Sequence, residues 1–281
     1  MVKGTYDSGD WHKDMKTYII AELGINHQGD INIAKKLIDM AVFAGCDAVK
    51  FQKRTIDDVY TKEELEKPRE SVFGATNGDL KRGLEFGLEE YKEIDKYCKE
   101  RGIEWFASPW DLKSVDFLEQ FDMPYWKVAS ALLTNDELLK RLKGKVILST
   151  GMSTIKQIDH AISLLDDPIV LHCTSTYPSK LEELNLDVIP WLKERCGCRI
   201  GYSGHGTGIV EPVIAVVKGA TMVEVHITLD RAMWGSDQSA SLEPAGLNKM
   251  VRDIRNVPIV LGDGIKKVYD SELPIMKKLR K

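Results

Sequence analysis

Val146 to Cys173 reads VILSTGMSTIKQIDHAISLLDDPIVLHC. Its ends, Val146–Thr150 and Ile169–Cys173, are short β-rich apolar runs. Between them Thr154–Leu165 carries apolar residues at helical spacing, opened by the helix-starting pair Ser153-Thr154. A strand that returns through a helix to a second strand of like composition implies parallel pairing through a right-handed crossover.

The same unit repeats outward in both directions. Before it come the runs Tyr18–Leu23, Ala48–Gln52, Glu104–Ser108 and Tyr125–Ala129; after it come Arg199–Ser203 and Met222–Ile227. Helical stretches lie between them, among them Ile33–Ala44, Glu89–Arg101 and Leu112–Phe121, and Leu242–Arg255 follows the last run. Asn135-Asp136 reads as a helix start, and Gly45 and Gly102 stand where helices stop. Eight strand–helix units predict an α/β protein, a (β/α)8 TIM barrel forming a single domain over 1–281. An open doubly wound sheet is the competing architecture, but no GxGxxG opens a helix after the first strand.

Length and composition agree. The 281 residues suit one such barrel, which takes about 250, and 43% hydrophobic with 29% charged residues is the balance of a globular enzyme. A formal charge of −4 argues against general affinity for nucleic acid or an anionic membrane. No apolar run reaches membrane-span length, and the polar arm 1–16 has no signal-peptide core. The five cysteines lack disulfide spacing. Cys196 and Cys198 flank one glycine but have no second pair to complete a zinc site. A reduced, cytoplasmic protein is expected. The longest interruption, residues 53–88 after strand two, reads as a lid or excursion, with a disordered insert as the alternative. Residues 266–281 read as a terminal helix with a basic end.

Reacting groups of such barrels gather at the C-terminal ends of the strands, and here nearly every strand ends in a polar residue. Strand one ends at Glu22 and runs into Asn26-His27; strand two carries Lys50 and Gln52 on one face. Strand three ends at Ser108-Pro109, and strand four carries Lys127, followed by Ser130. Strands five, six and seven end at Ser149-Thr150-Gly151, His172-Cys173-Thr174-Ser175 and Ser203-Gly204-His205. Strand eight carries Glu224 and His226 on one face, then Thr228 and Asp230. Any one of these has a plain structural explanation; so many at one end do not. Two lysines buried there need an anion, which a phosphorylated, carboxylated ligand supplies. His205 and His226 lie at adjacent strand ends with Glu22, Glu224 and Asp237 near. That donor set suits a divalent metal: Mn²⁺, Co²⁺, Fe²⁺, Zn²⁺ or, less well, Mg²⁺. Two structural histidines are the alternative.

The chain resembles the sialic acid synthase (N-acetylneuraminate synthase) family from about Tyr18 to Gly264. The resemblance rests on AELGINHQGD (Ala21–Asp30), AVKFQK (Ala48–Lys53), WKVAS (Trp126–Ser130), ILSTGMST (Ile147–Thr154), LHCTSTYP (Leu171–Pro178), GYSGHG (Gly201–Gly206), VEVHITLDR (Val223–Arg231) and SASLEP (Ser239–Pro244), in this order. It implies that Lys50, Ser108, Lys127, Ser130, Ser149 and Ser203 hold phosphoenolpyruvate. It implies that His205 and His226 hold the metal, commonly Mn²⁺. Glu22, Gln52, Tyr177 and Asp237 are implied to face the acceptor sugar or the reacting carbons, with Glu22, Asp237 and Glu224 as the catalytic carboxylates. Four departures stand out. Gly204 replaces an Asp before the metal-binding His, Gln238-Ser239 replaces His-Lys after Asp237, and Ser175, counted with the substrate-binding set, replaces an Asn. The C-terminal antifreeze-like domain of many relatives is not in this sequence, so a catalytic barrel without it is expected.

The implied activity is condensation of phosphoenolpyruvate with an aldose, N-acetylmannosamine or a related sugar or sugar phosphate, by a homodimer. The products are a 3-deoxy-2-keto sugar acid and phosphate. A phosphorylated acceptor needs further cations at the mouth, for which Lys53, Arg54, Lys81 and Arg231 are available. The alternatives are a pyruvate aldolase using Lys127 or Lys50 as a Schiff base, and a barrel that only binds sugar or phosphate.

Overall fold

The computed structural model describes residues 16–280; the expected N-terminal arm therefore lies outside the described residues except for Lys16. Eight parallel strands form the barrel: β1 Tyr18–Glu22, β2 Ala48–Lys53, β3 Glu104–Pro109, β4 Trp126–Val128, β5 Val146–Ser149, β6 Ile169–Cys173, β7 Arg199–Gly204 and β8 Met222–His226. Hydrogen bonding runs in the order β3-β2-β1-β8-β7-β6-β5-β4, so β1 pairs with β8 as a barrel requires. β3 and β4, the ends of that order, pack side by side and close the ring without a ladder.

The local signals act as read. Asp30 caps helix Ile31–Ala44, and Gly45 ends it in the left-handed region at φ 84°. Thr154 and Gln157 form a reciprocal capping box on helix Ile155–Ser163. The helix after β8 runs over Pro244–Leu261, longer than expected at its far end, while that after β3 stops at Leu118, short of the expected Phe121.

Side-chain parity builds the interior. Ile20, Ala48, Phe106, Ile147, Ile169, Leu171 and Met222 meet inside the barrel, above Tyr18, Met123 and Tyr125. Each of the larger of these contributes about 1.5–3 kcal/mol by burial. Because alternate residues share a face, the residue two further along each strand enters the layer above. From Ile20, Ala48, Phe106, Tyr125, Ile147, Gly201 and Met222 that step leads to Glu22, Lys50, Ser108, Lys127, Ser149, Ser203 and Glu224. A dry plug thus carries a polar floor.

Residues 53–88 form an ordered excursion rather than a disordered insert. Short helices Ile56–Val59 and Lys62–Glu66 lead to an antiparallel hairpin (Pro68–Ser71 with Gly74–Thr76) and helix Asn77–Leu84. It is fastened to the barrel. Gly29, at φ 72°, lies so close to the Gly83 carbonyl that a Cβ would collide with it. The Phe73 ring meets Trp234, beyond β8, at 6.0 Å. The terminal segment includes helix Leu273–Leu279. Among the described residues no helix is long and apolar enough to cross a membrane, and all five cysteines are free.

Candidate active site

The polar floor is a network of buried charges. Lys50 Nζ lies 2.7 Å from Glu22 Oε2 and 3.7 Å from Glu224 Oε1, and donates to Ser108 Oγ at 3.1 Å. Lys127 Nζ lies 3.6 Å from the same Glu224 oxygen and donates to Ser149 Oγ at 2.7 Å. Ser203 Oγ also faces Glu224, at 3.4 Å. All of these side chains are buried. The two ammoniums, expected to need a ligand's negative charge, are paired first by Glu22 and Glu224.

Burial and pairing set the protonation states. Burial pushes the Glu22 carboxyl up to about 7, against the pull of Lys50 and with the push of Glu224. Burial also opposes ionisation of Glu224, but Lys127 and Lys50 outweigh it and hold that carboxyl below its usual range. Burial lowers the Lys127 ammonium, only partly offset by Glu224. For Lys50 burial acts the same way, but Glu22 and Glu224 prevail and its value rises.

Beside the floor, Gly151 N–H donates to Ser130 Oγ at 3.0 Å and to Cys173 Sγ at 3.1 Å. A Cβ on Gly151 would run into Ser175 Oγ, so only glycine lets these strand ends converge.

The histidines stand on the same rim. His205 and His226 have ring centroids 5.6 Å apart. His205 Nδ1 lies 2.6 Å from the Thr174 carbonyl, which only accepts, so Nδ1 carries the hydrogen. Its Nε2 therefore accepts from the Tyr177 hydroxyl, at 2.9 Å. Burial, then repulsion from His226, takes the His205 imidazole down to about 4. Burial also lowers His226, with Asp237 pulling the other way. His226 Nδ1 is buried without a hydrogen-bond partner, 4.0 Å from Asp237 Oδ2. Two neutral imidazoles, one with a buried orphan nitrogen, fit a divalent cation. Among the described residues, however, no three His, Cys, Asp or Glu side chains come together as a ready ligand set, so water or substrate would have to complete it.

One cavity of about 250 Å³ collects these groups: Glu22, Lys50, Gln52, Ser108, Lys127, Ser130, Ser149, Ser175, Tyr177, Ser203, His205, Glu224 and His226 all line it. Asp237 lines an adjoining cavity of about 240 Å³ that shares Gln52, Trp110, Tyr177 and His226 with the first. Sequence reasoning missed Trp110, which bridges the two; its signal was an indole two residues past the end-of-strand Ser108. His172 does not join the site. It has the opposite parity to Cys173, faces away from the barrel axis, and its Nε2 lies 2.7 Å from the Leu184 carbonyl. His27 is also outside the cavity, stacked on Phe86 at 4.1 Å. Of the four cations expected at the mouth, Lys53 is tied to Glu85 and Arg231 to Glu243, leaving Arg54 and Lys81 on the outer cavity.

A parallel barrel with two buried lysines, their carboxylate partners and a pair of imidazoles at its C-terminal rim has the make-up of an enzyme site, and the comparisons give its class. Residues 37–266 match the NeuB family. The human N-acetylneuraminate-9-phosphate synthase is 41% identical over 274 residues, covering 94% of this chain and 76% of the relative. The N,N'-diacetyllegionaminic acid synthase of Campylobacter jejuni is 37% identical, covering 95% and 84%. The crystal structure of an N-acetylneuraminic acid synthetase from Leptospira borgpetersenii, in complex with citrate, superposes with a TM-score of 0.80 at 32% identity, covering 94% and 93%. The chain belongs to the NeuB family.

Proposed function

We propose that this chain condenses phosphoenolpyruvate with an aldose, giving a 3-deoxy-2-keto sugar acid and inorganic phosphate. The observation that carries the reading is the single cavity holding both the Lys50–Glu224–Lys127 network and the His205/His226 pair. Relatives that make N-acetylneuraminate 9-phosphate and diacetyllegionaminic acid support it.

The donor's carboxylate and phosphate lie against Lys50 and Lys127, with Ser108, Ser130, Ser149, Ser175, Ser203 and the Gly151 backbone completing the cradle. C3 of the enol attacks the aldehyde carbon, forming the new C–C bond as positive charge develops at C2. Water adds to C2, and the resulting tetrahedral centre expels phosphate by C–O cleavage. Glu22, which exchanges a proton near neutrality and accepts from Gln52 Nε2 at 2.7 Å, is assigned the proton delivered to the new hydroxyl. Asp237, beside the imidazoles, is assigned the proton taken from water. Glu224, expected among the proton carriers, is assigned instead to hold the two ammoniums apart and in place. His205 and His226 would hold a divalent metal, Mn²⁺ first, with Co²⁺ and Mg²⁺ as alternatives; it would supply a Lewis acid for the aldehyde oxygen. A homodimer and a cytoplasmic setting go with this reading.

The test is a screen of aldoses and their phosphates with phosphoenolpyruvate and Mn²⁺, reading inorganic phosphate. Release with at least one aldose, and none without aldose, is expected. Release without any aldose, or none with any of them, contradicts the proposal. Borohydride with pyruvate should trap no adduct on Lys50 or Lys127; a trapped adduct would favour the Schiff-base aldolase.

A further inference from the structure

The outer cavity, of about 240 Å³, is lined by residues whose N–H donors are only partly used among the described residues. Arg54 lies over Trp110, its guanidinium carbon 4.1 Å from the ring centroid, and one of its terminal nitrogens donates to Gln52 Oε1. Its Nε is buried without an acceptor, as is Trp110 Nε1. Lys81, on helix Asn77–Leu84, reaches the same cavity with Nζ 5.0 Å from the Tyr60 ring centroid. Among the described residues neither Arg54 nor Lys81 has a carboxylate at ion-pair distance.

The nearby acids are already engaged. Glu85 accepts from Lys53 Nζ at 2.8 Å and from the Arg54 backbone N–H at 2.9 Å. Asp57 takes Arg82, and Asp237 lies on the imidazole side, accepting from Ser236 Oγ at 2.7 Å. What remains is a guanidinium held over an indole, an ammonium and an indole N–H: three donor groups, with Asp237 at the imidazole end the one lining carboxylate that no Lys or Arg pairs among the described residues. Such a set fits an acceptor-only, multiply charged group, with Arg as an oriented fork and Lys as a point charge.

The donor has its own cations, Lys50 and Lys127, in the inner cavity. A second anion site one step outward, sharing Gln52, Trp110, Tyr177 and His226 with it, therefore fits the far end of the other substrate. We propose that Arg54, Lys81 and Trp110 bind the phosphate of a phosphorylated aldose acceptor, so that this synthase prefers an aldose phosphate to the free sugar. The inference rests on the function proposed above and specifies its acceptor class.

N-acetylmannosamine 6-phosphate and N-acetylmannosamine serve as probes, with inorganic phosphate as a third ligand. In turnover, kcat/KM is expected to favour the phosphorylated sugar at least tenfold. Lys81→Gln should cut that preference about tenfold, and Lys81→Arg should restore it. In calorimetry, independent of turnover, the wild type should bind the phosphorylated sugar at least tenfold more tightly than either the free sugar or inorganic phosphate. Lys81→Gln should lose that margin while keeping the wild-type melting temperature. Equal affinity for both sugars, a preference that survives Lys81→Gln, or inorganic phosphate binding as tightly as the sugar phosphate would each overturn the proposal. Turnover of the free sugar with equal efficiency would overturn this inference while leaving the synthase reading intact. Absence of turnover with every aldose would defeat the synthase reading, and calorimetry would still decide the anion site.

Discussion

Glu224 and His226 stand two residues apart on β8, and that spacing turns the carboxylate toward Lys50 and Lys127 and the imidazole toward His205 and Asp237. One strand thus joins the two buried ammoniums to the imidazole pair. A shift of one residue in either position would send its side chain into the outer helical layer, away from the cavity.

Lys127 is the donor-side group whose removal should cost most in rate. Lys127→Ala takes away the ammonium 2.7 Å from Ser149 and should lower phosphate release by roughly 10²–10³-fold or more. Stopped assays of phosphate with the aldose identified in the screen check this. Turnover near the wild-type rate would remove Lys127 from the donor site.

Glu224→Gln leaves two buried ammoniums with one carboxylate, Glu22, which pairs with Lys50 alone. Breaking a buried ion-pair network typically costs about 3–5 kcal/mol, so urea unfolding should show a fall of that order. Saturating phosphoenolpyruvate, which supplies the missing negative charge, should stabilise the variant more than it stabilises the wild type. Equal stabilisation of both would show that the donor does not meet these lysines.

Much of this was legible from sequence because two periodicities coincide. The strand–helix alternation gives the barrel, and polar residues two positions beyond buried apolar ones, such as Lys50 after Ala48 and Glu224 after Met222, give the floor. Parity also explains why His172 stands at a strand end yet outside the site: its neighbour Leu171 takes the inward place, and the imidazole meets the Leu184 carbonyl instead. The internal pairing of Lys50 with Glu22 was not legible, since it depends on register between β1 and β2. Nor was the folded excursion over 53–88, whose fixing contacts, Gly29 with Gly83 and Phe73 with Trp234, lie far apart in the chain.

His27 should make the fold sensitive to acid. Its ring is buried against Phe86, and burial takes its pKa from the ordinary 6.5 down to about 3. As pH falls below 6.5 the unfolded chain takes up a proton that the folded one refuses until about pH 3. This residue's stability contribution, complete above that window, is therefore lost on the way down, with a slope of up to ~1.4 kcal/mol per pH unit. His27→Gln should flatten the stability–pH curve across the window. An unchanged slope would place the proton uptake elsewhere.

His205→Ala and His226→Ala should each reduce bound metal, measured by elemental analysis after gel filtration, together with activity. Full activity after exhaustive chelation would show that the imidazole pair serves another purpose.

The most direct test of a shared rim is the ³¹P resonance of bound phosphoenolpyruvate during titration with Mn²⁺. With donor cradle and imidazole pair in one cavity, a stoichiometric amount of Mn²⁺ should broaden that resonance strongly in the wild type, and much less in the His205→Ala/His226→Ala double variant at the same metal concentration. Broadening of equal size in both proteins, or none in the wild type, would contradict the account.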